Sequence, residues 1–357
     1  MAVQTFNLTP GRINKFKGEI LKHAVPDECL VRAGRQVKFP KNSSDTYVAR
    51  RFLPYGATAT SASSQNAFFQ NGPGDRGNLV VQANQMTEGV TPQADSIIPV
   101  DISVQMAQYG CLYSVTDKTA ELYEDDIPAQ MIKQVGERIT FVGEMIVYGA
   151  LRACTNVYFG GAGTSISTVT GPLTMGLLRR VTRGLQANHA RPVNSVLSAS
   201  QNFGTNPVPA GYTIYCHTDM EPDLRDLPNF TPAEQYASGK PMPGEIGMCE
   251  RMRFITSPDL PPIQDGGAAV GSAPGLNSTS GSNIDIYPMI VLGQDAFSQI
   301  SVRGIDSLDP TYLQPGEKTK ADPLGQRGYI GASFWKAVMI ENPGWMAIAN
   351  VGTKILL

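Results

Sequence analysis

Acid–base, nucleophilic and metal chemistry near neutral pH most often needs an imidazole, and the chain has three: His23, His189 and His217. None sits in an HExxH or HxH arrangement, and no GxSxG nucleophile motif accompanies them. His217 lies near Asp219, Glu221 and Asp223, a mixture that could hold a metal or serve a hydrolase. The plainer reading is a strand end followed by an acid-rich helix start, where the helix dipole favours carboxylates. Glu121, Glu124, Asp125 and Asp126 are read the same way, although paired carboxylates can also move protons. Gly160-Gly161-Ala162-Gly163-Thr164-Ser165 resembles a phosphate-cradling loop, but it lacks GK[ST] and follows a helix, so it is expected to be a flexible connection. Arg179, Arg180 and Arg183 could touch phosphate; a solvated helix face or an inter-subunit ion pair is the simpler expectation. Trp335 and Trp345 fall in apolar strands and are expected in a core or an interface. The sequence therefore offers no catalytic residue, no cofactor-binding residue and no metal ligand, and no cofactor is expected.

Composition narrows the class further. Of 357 residues, 41% are hydrophobic, enough for a substantial core, and only 17% are charged, below the roughly 25% usual for soluble globular chains. Such a surface suits an assembly in which neighbours cover much of it. The formal net charge of -2 carries no basic field, so contact with nucleic acid should be local and non-specific. Five scattered cysteines, Cys29, Cys111, Cys154, Cys216 and Cys249, read as reduced thiols. No signal peptide is expected, and no apolar run reaches the ~18 residues of a membrane span.

These residues must be positioned by α and β elements of both kinds. A weak helix is expected after Thr9-Pro10, inside an arm held by a neighbour. Gly34–Phe39 and Tyr47–Leu53 read as strands, and Pro54–Gln85 as a long Gly/Ser/Ala/Asn/Gln loop, a length that is usually functional or disordered. Ile98, Val100, Ile102, Val104 and Met106 alternate with polar residues, a strand with one apolar face. Tyr109-Gly110 should break it before a second strand, Cys111–Val115. Asp125-Asp126 and Pro128 then open a helix to about Ala153, roughly 39 Å long. Its apolar stripe is Ile132, Val135, Ile139, Val142 and Ile146, and Gly136, Gly143 and Gly149 imply close packing or a bend. Leu173, Leu177, Val181 and Leu185 mark a second helix. Tyr212–Cys216 and Ile284–Leu292 read as strands, with 263–283 a polar loop. Tyr329–Ile340 and Trp345–Val351 read as a terminal hairpin.

Three ordered segments carry a resemblance: Glu88-Gly89-Val90-Thr91-Pro92 with the alternating strand, Gln108-Tyr109-Gly110 and Val115-Thr116-Asp117; the long helix; and Asp322-Pro323-Leu324-Gly325-Gln326-Arg327-Gly328 before the terminal strands. Gly244-Glu245-Ile246-Gly247 and Leu292-Gly293-Gln294-Asp295-Ala296-Phe297 also fit. Over residues 34–350 the chain resembles the capsid-protein family of short-tailed, N4-like phages. It departs in the length of Pro54–Gln85 and in Ala332-Ser333-Phe334-Trp335-Lys336, where Gly-Trp-Lys is usual. The resemblance implies an α+β, Hong Kong 97-like capsid fold. Residues 1–45 would be an N-terminal arm and first strand, and 46–100 an extended loop lapping a neighbour. Residues 101–164 would be a peripheral domain with a spine helix at 127–153, 165–310 an axial domain, and 311–357 a C-terminal hairpin completing the peripheral domain. It further implies a major capsid protein that self-assembles as hexamers and pentamers into an icosahedral shell enclosing double-stranded DNA, by non-specific contact. Portal and scaffolding or decoration proteins would be partners, with no membrane, in a virion assembled in the host cytoplasm. An encapsulin-like nanocompartment and a hydrolase using His217 are the alternatives.

Overall fold

The computed structural model describes residues 25–40, 44–54, 85–91, 97–123, 126–195, 207–236, 241–302, 309–316, 318 and 322–356. The helix expected after Thr9-Pro10 and nearly all of the 54–85 loop lie outside these residues.

Strands β1 (Arg35–Phe39), β2 (Thr46–Phe52), β3 (Pro99–Gln105) and β4 (Ala107–Thr116) lead into a short helix α1 (Asp117–Leu122) and the long helix α2 (Ile127–Arg152). After β5 (Val157–Phe159) come α3 (Met175–Ala187), β6 (Val193–Ser195), β7 (Pro207–His217) and a one-turn α4 (Glu221–Arg225). Strands β8 (Phe230–Pro232), β9 (Glu245–Cys249), β10 (Met252–Ser257), β11 (Tyr287–Leu292), β12 (Phe297–Val302), β13 (Asp309–Leu313), β14 (Arg327–Ile340) and β15 (Met346–Val351) complete the order.

Among the described residues these make two sheets and a ribbon. A five-stranded sheet runs β1-β12-β14-β13, with β4 along the other edge of β14. An eight-stranded sheet runs β5-β15-β11-β7-β10-β9-β8, with β6 on β7. β2 and β3 pair antiparallel with each other. The alternation that predicted β3 holds: its odd positions are exposed and Val100, Ile102 and Val104 are half-buried. Their apolar face packs on Phe39, Ile300, Ala337 and Met339 of the five-stranded sheet.

Two sequence expectations about strands are corrected. Tyr109-Gly110 does not break β4, which is one ten-residue strand paired with β14 from Thr116 to Ala107. Gly110 is instead a point of close approach, where a Cβ would lie 3.0 Å from the Ala332 carbonyl oxygen. The terminal hairpin does not form either. β14 belongs to the five-stranded sheet, whereas β15 pairs with β11 and β5 in the other. The reason lies in two breaks that face each other. β11 and β12 are interrupted at 293–296, and β14 and β15 at 341–345. There Gly293 donates to the Trp345 carbonyl at 2.9 Å, and Glu341 and Asn342 both donate to the Ala296 carbonyl. One antiparallel ribbon thus kinks in mid-course and feeds both sheets. Residues 311–357 are not a single hairpin.

The predicted span of α2 agrees with the structure. Asp126 caps it, its side chain accepting from Ala129 N, with Pro128 in the first turn. Its apolar stripe holds at Val135 and Ile139 and shifts at the ends. Ile132 is exposed and Met131 buried, and the buried positions are Met131, Val135, Gly143, Glu144, Val147, Tyr148 and Leu151. The helix serves two cores in turn. Met131 and Val135 pack on Val115, Ile330 and Ala332 of the five-stranded sheet. Val147, Tyr148 and Leu151 pack on Tyr215, Ile255, Ile290 and Ile348 of the eight-stranded sheet. Of its glycines only Gly143 has a close neighbour, the Lys336 Nζ; a Cβ on Gly136 or Gly149 would meet nothing within 4 Å. α3 covers the opposite face of the eight-stranded sheet through Leu177, Leu178, Val181 and Leu185. β11, between two strands and under both layers, is buried at every position.

Candidate functional site

Of the residues singled out for chemistry, His217 and Asp219 are brought together, 3.2 Å between Nδ1 and a carboxylate oxygen, while Asp223 is held elsewhere. His217 ends β7, and its Nδ1 accepts the Asp219 backbone N–H at 3.0 Å, so the ring serves as a helix-start cap. Its ring lies beside that of Tyr287, whose hydroxyl donates to Asp219 at 3.0 Å. Asp223 turns away and accepts the Lys354 backbone N–H at 3.0 Å. No group of three or more His, Cys, Asp or Glu able to hold a metal occurs among the described residues. His189 lies on the rim of a separate cleft of about 660 Å³. His23, Glu124 and Asp125 lie outside the described residues.

The glycine-rich segment 160–165 is a folded-back turn and not the flexible connection expected. A Cβ on Gly160 would lie 2.6 Å from the Gly171 carbonyl oxygen, and one on Gly163 would lie 2.6 Å from that of Thr168. Gly161 has φ +69°, a conformation that favours glycine. The Thr164 and Ser165 amides that a phosphate would need already donate to Thr168 Oγ1, at 3.0 Å each. The polar loop 263–283 is likewise built. It bridges back onto the strand leading into β11, and Asp285 accepts from Asp265 N and Thr279 Oγ1.

Buried polar chemistry does exist, and it is structural. The Glu144 carboxylate, 1% exposed, accepts the backbone N–H groups of Cys29, Leu30 and Val31 at 3.2, 2.7 and 3.0 Å, and the Cys29 thiol at 3.1 Å. On the other side of that segment the Gln299 amide donates to the carbonyls of Leu30, Val31 and Ala33. An irregular stretch of chain is thereby satisfied by one side chain of α2 and one of β12. Gly34, φ +77°, lets the chain turn out against the Phe297 ring. Sequence reasoning missed Glu144. Its one signal was a carboxylate between Gly143 and Met145, inside a helix otherwise apolar on that side.

A second buried pair ties β9 to β10. Arg253 binds Glu245 through both its Nε and one Nη, at 2.8 Å each, with the two side chains 1% and 0% exposed. Glu245 also accepts from Met242 N and the Tyr236 hydroxyl. The other Nη of Arg253 has no partner among the described residues. Lys336 donates to the Gly143 carbonyl at 3.2 Å. Burial depresses its amine to about 8, against the opposing pull of the Glu144 and Glu28 carboxylates. The unfolded chain then holds a proton that the folded one sheds across the window from about pH 8 to 10.5, so this residue adds stability as pH rises through it. Subtracting the pH profile of Lys336→Met from that of the parent should leave a positive slope in that window. A flat difference in unfolding midpoint would contradict the depressed amine.

What the surface presents is apolar area without cover. Among the described residues, the face of the five-stranded sheet that carries the β2–β3 ribbon at one end is bare at the other. There Leu112, Leu313 and Trp335 are exposed, with Leu112 paired opposite Gly331 and Leu313 opposite Tyr329. The ribbon adds exposed Val48, Phe52 and Ile98, and α2 adds Ile132 and Phe141. Among the described residues none of the large exposed apolar side chains lies between residues 167 and 311, the stretch that makes most of the eight-stranded sheet. Trp335 is therefore a surface residue, whereas Trp345 is half-buried at the kink, packed against the core on one side and lining the cleft on the other, its Nε1 donating to the Asn188 carbonyl at 3.0 Å.

No family model matches the chain. A major capsid protein of Pseudomonas phage KPP21 is 23% identical over 346 residues, covering 88% of this chain and 86% of that protein. The capsid of Ralstonia phage GP4 superposes with a TM-score of 0.63 at 11% identity, covering 98% of this chain and 97% of that one. The capsid protein of cyanophage Pam1 gives 0.60 at 13%, covering 98% and 99%. The mixed helix-and-sheet architecture is the α+β, Hong Kong 97-like fold. The chain thus shares the fold of these phage capsid proteins and resembles one phage major capsid protein along most of its length.

Proposed function

We propose that many copies of this chain assemble as hexamers and pentamers into an icosahedral shell that encloses double-stranded DNA, and that it catalyses no reaction. In this reading it resides in the virion after assembly in the host cytoplasm, beside a portal and scaffolding or decoration proteins. The five-stranded sheet with the first half of α2 is the peripheral part, and the eight-stranded sheet is the axial part. The chain from 46 to 100 is the loop that reaches a neighbour.

The observation that carries this is the distribution of exposed apolar side chains. Exposed single apolar residues are ordinary, but several large ones on one bare sheet face mark a surface that a partner covers. Leu112, Leu313 and Trp335 share such a face beside the exposed β13 edge, interspersed with Gln108, Ser333 and Thr311. A second copy's ribbon, whose outer face exposes Val48 and Phe52 on either side of the Arg50–Asp101 ion pair, can lay those two side chains on it. Obligate contacts of that kind bury about 2,000 Å² or more.

Charging that face should block assembly without unfolding the subunit. Leu112→Asp with Trp335→Glu should give a soluble protein with an unchanged melting transition and no fast-sedimenting shells. Shells at the parent's yield would remove the proposal. An encapsulin-like compartment of the same fold differs in what it holds, so a specific enzyme in place of DNA inside purified particles would favour that alternative.

A further inference from the structure

Against the net charge of -2 for the chain, one surface is distinctly basic. Arg179, Arg180 and Arg183 are exposed along α3. Arg179 reaches across to Glu250 at 2.6 Å, which ties the helix to the β9–β10 turn. Arg251, the next residue of that turn, lines the ~660 Å³ cleft together with Arg191, His189 and Gln186. Gln186 lies three residues after Arg183, on the neighbouring turn of the same helix face. The five arginines thus form one continuous surface. Its acidic members are Glu250, already paired with Arg179, and Asp295 on the cleft rim. Arg180 lies over the Tyr158 ring at 5.5 Å. Arg183, Arg191 and Arg251 are exposed.

We propose that this arginine surface of α3 and the cleft rim contacts the phosphate backbone of the enclosed DNA. The proposal rests on the capsid reading above and names the surface that reading leaves open. Interfaces between protein copies gather arginines and aromatic residues around an apolar centre. Here the arginines have no exposed apolar centre, because the large exposed apolar side chains of the described residues all lie outside 167–311. A spread of guanidinium groups around a cleft floored by Tyr212 and Trp345, with no large apolar side chain exposed beside them, suits a sequence-independent polyanion, held by phosphate contacts and counterion release. The fork of each arginine matches phosphate oxygens in a way that a lysine does not.

The test uses the full chain with Arg183→Ser, Arg191→Ser and Arg251→Ser combined, leaving Arg179 and Arg180 with their partners. Binding to a short duplex of arbitrary sequence is measured across a salt series, and shell formation is scored separately. The expected result is at least tenfold weaker binding at low salt, with the log–log salt slope shallower by about one per arginine. Empty shells should form at the parent's yield. The corresponding triple Arg→Lys variant should keep the slope. An unchanged slope in the serine variant overturns the proposal. So does loss of shells in both triple variants with DNA binding unchanged, because the surface would then lie between copies. If the parent chain forms no shells at all, it is the capsid reading that fails.

Discussion

Replacing Glu144 by alanine should cost roughly 3–5 kcal/mol, since it orphans three buried backbone N–H groups at once. That is a large part of the 5–15 kcal/mol by which a domain is usually stable. The residue joins three things that are distant in sequence: the chain at Cys29–Val31, the middle of α2, and, through Gln299 on the far side, strand β12. The loss should therefore be local first. Limited proteolysis should cut near residues 25–34 in Glu144→Ala under conditions where the parent is intact, and the unfolding midpoint should fall. Glu144→Gln keeps an acceptor oxygen and should recover part of the loss. An alanine variant with the parent's midpoint and cleavage pattern would show that the carboxylate is dispensable.

Arg253→Met should have an effect of similar size for a different reason. It leaves Glu245 as an uncompensated charge at 0% exposure, a situation that costs about 3–5 kcal/mol. Removing both charges, with Arg253→Met and Glu245→Met together, should recover at least half of that, because desolvation of the pair is relieved. Full recovery is not expected, since Met242 N and the Tyr236 hydroxyl lose their acceptor. The unfolding free energies of the two single variants and the double variant make a cycle. Strict additivity of the two losses would contradict a coupled buried pair.

Much of this fold was legible in the sequence where local signals and the final packing agree. β3 announced itself by period-two alternation, and α2 by Asp126, Pro128 and its apolar repeat. α3 showed its buried face through Leu177, Val181 and Leu185. The failures share a cause, which is that the deciding partner is remote in sequence. Tyr329–Ile340 and Met346–Val351 look like a hairpin because both are apolar and a turn lies between them. Their sheets are chosen instead by β12 and β11, kinked at Gly293–Ala296. The stripe of α2 was right at Val135 and Ile139 and off at both ends, because the helix packs first on one sheet and then on the other. Gly110 resembled a strand breaker, yet it marks where β14 comes close. The glycine run at 160–163 suggested freedom, whereas its neighbours at 168–171 need the space.

Of the residues the sequence singled out for chemistry, His217 and Asp219 do meet, at 3.2 Å, within one turn, whereas Asp223 holds the Lys354 amide. The surface that matters could not be read in advance. Leu112, Leu313 and Trp335 come from three strands, and only the pairing of β4, β13 and β14 puts them on one face.

The account depends on copies of this chain covering one another's apolar faces in a closed shell. Electron cryo-microscopy of the purified product tests that most directly. The expected map is a hollow icosahedral particle in which a neighbour's β2–β3 ribbon lies against Leu112, Leu313 and Trp335. A monodisperse monomer with that face open to solvent, under every condition including co-expression with a scaffold, would contradict it.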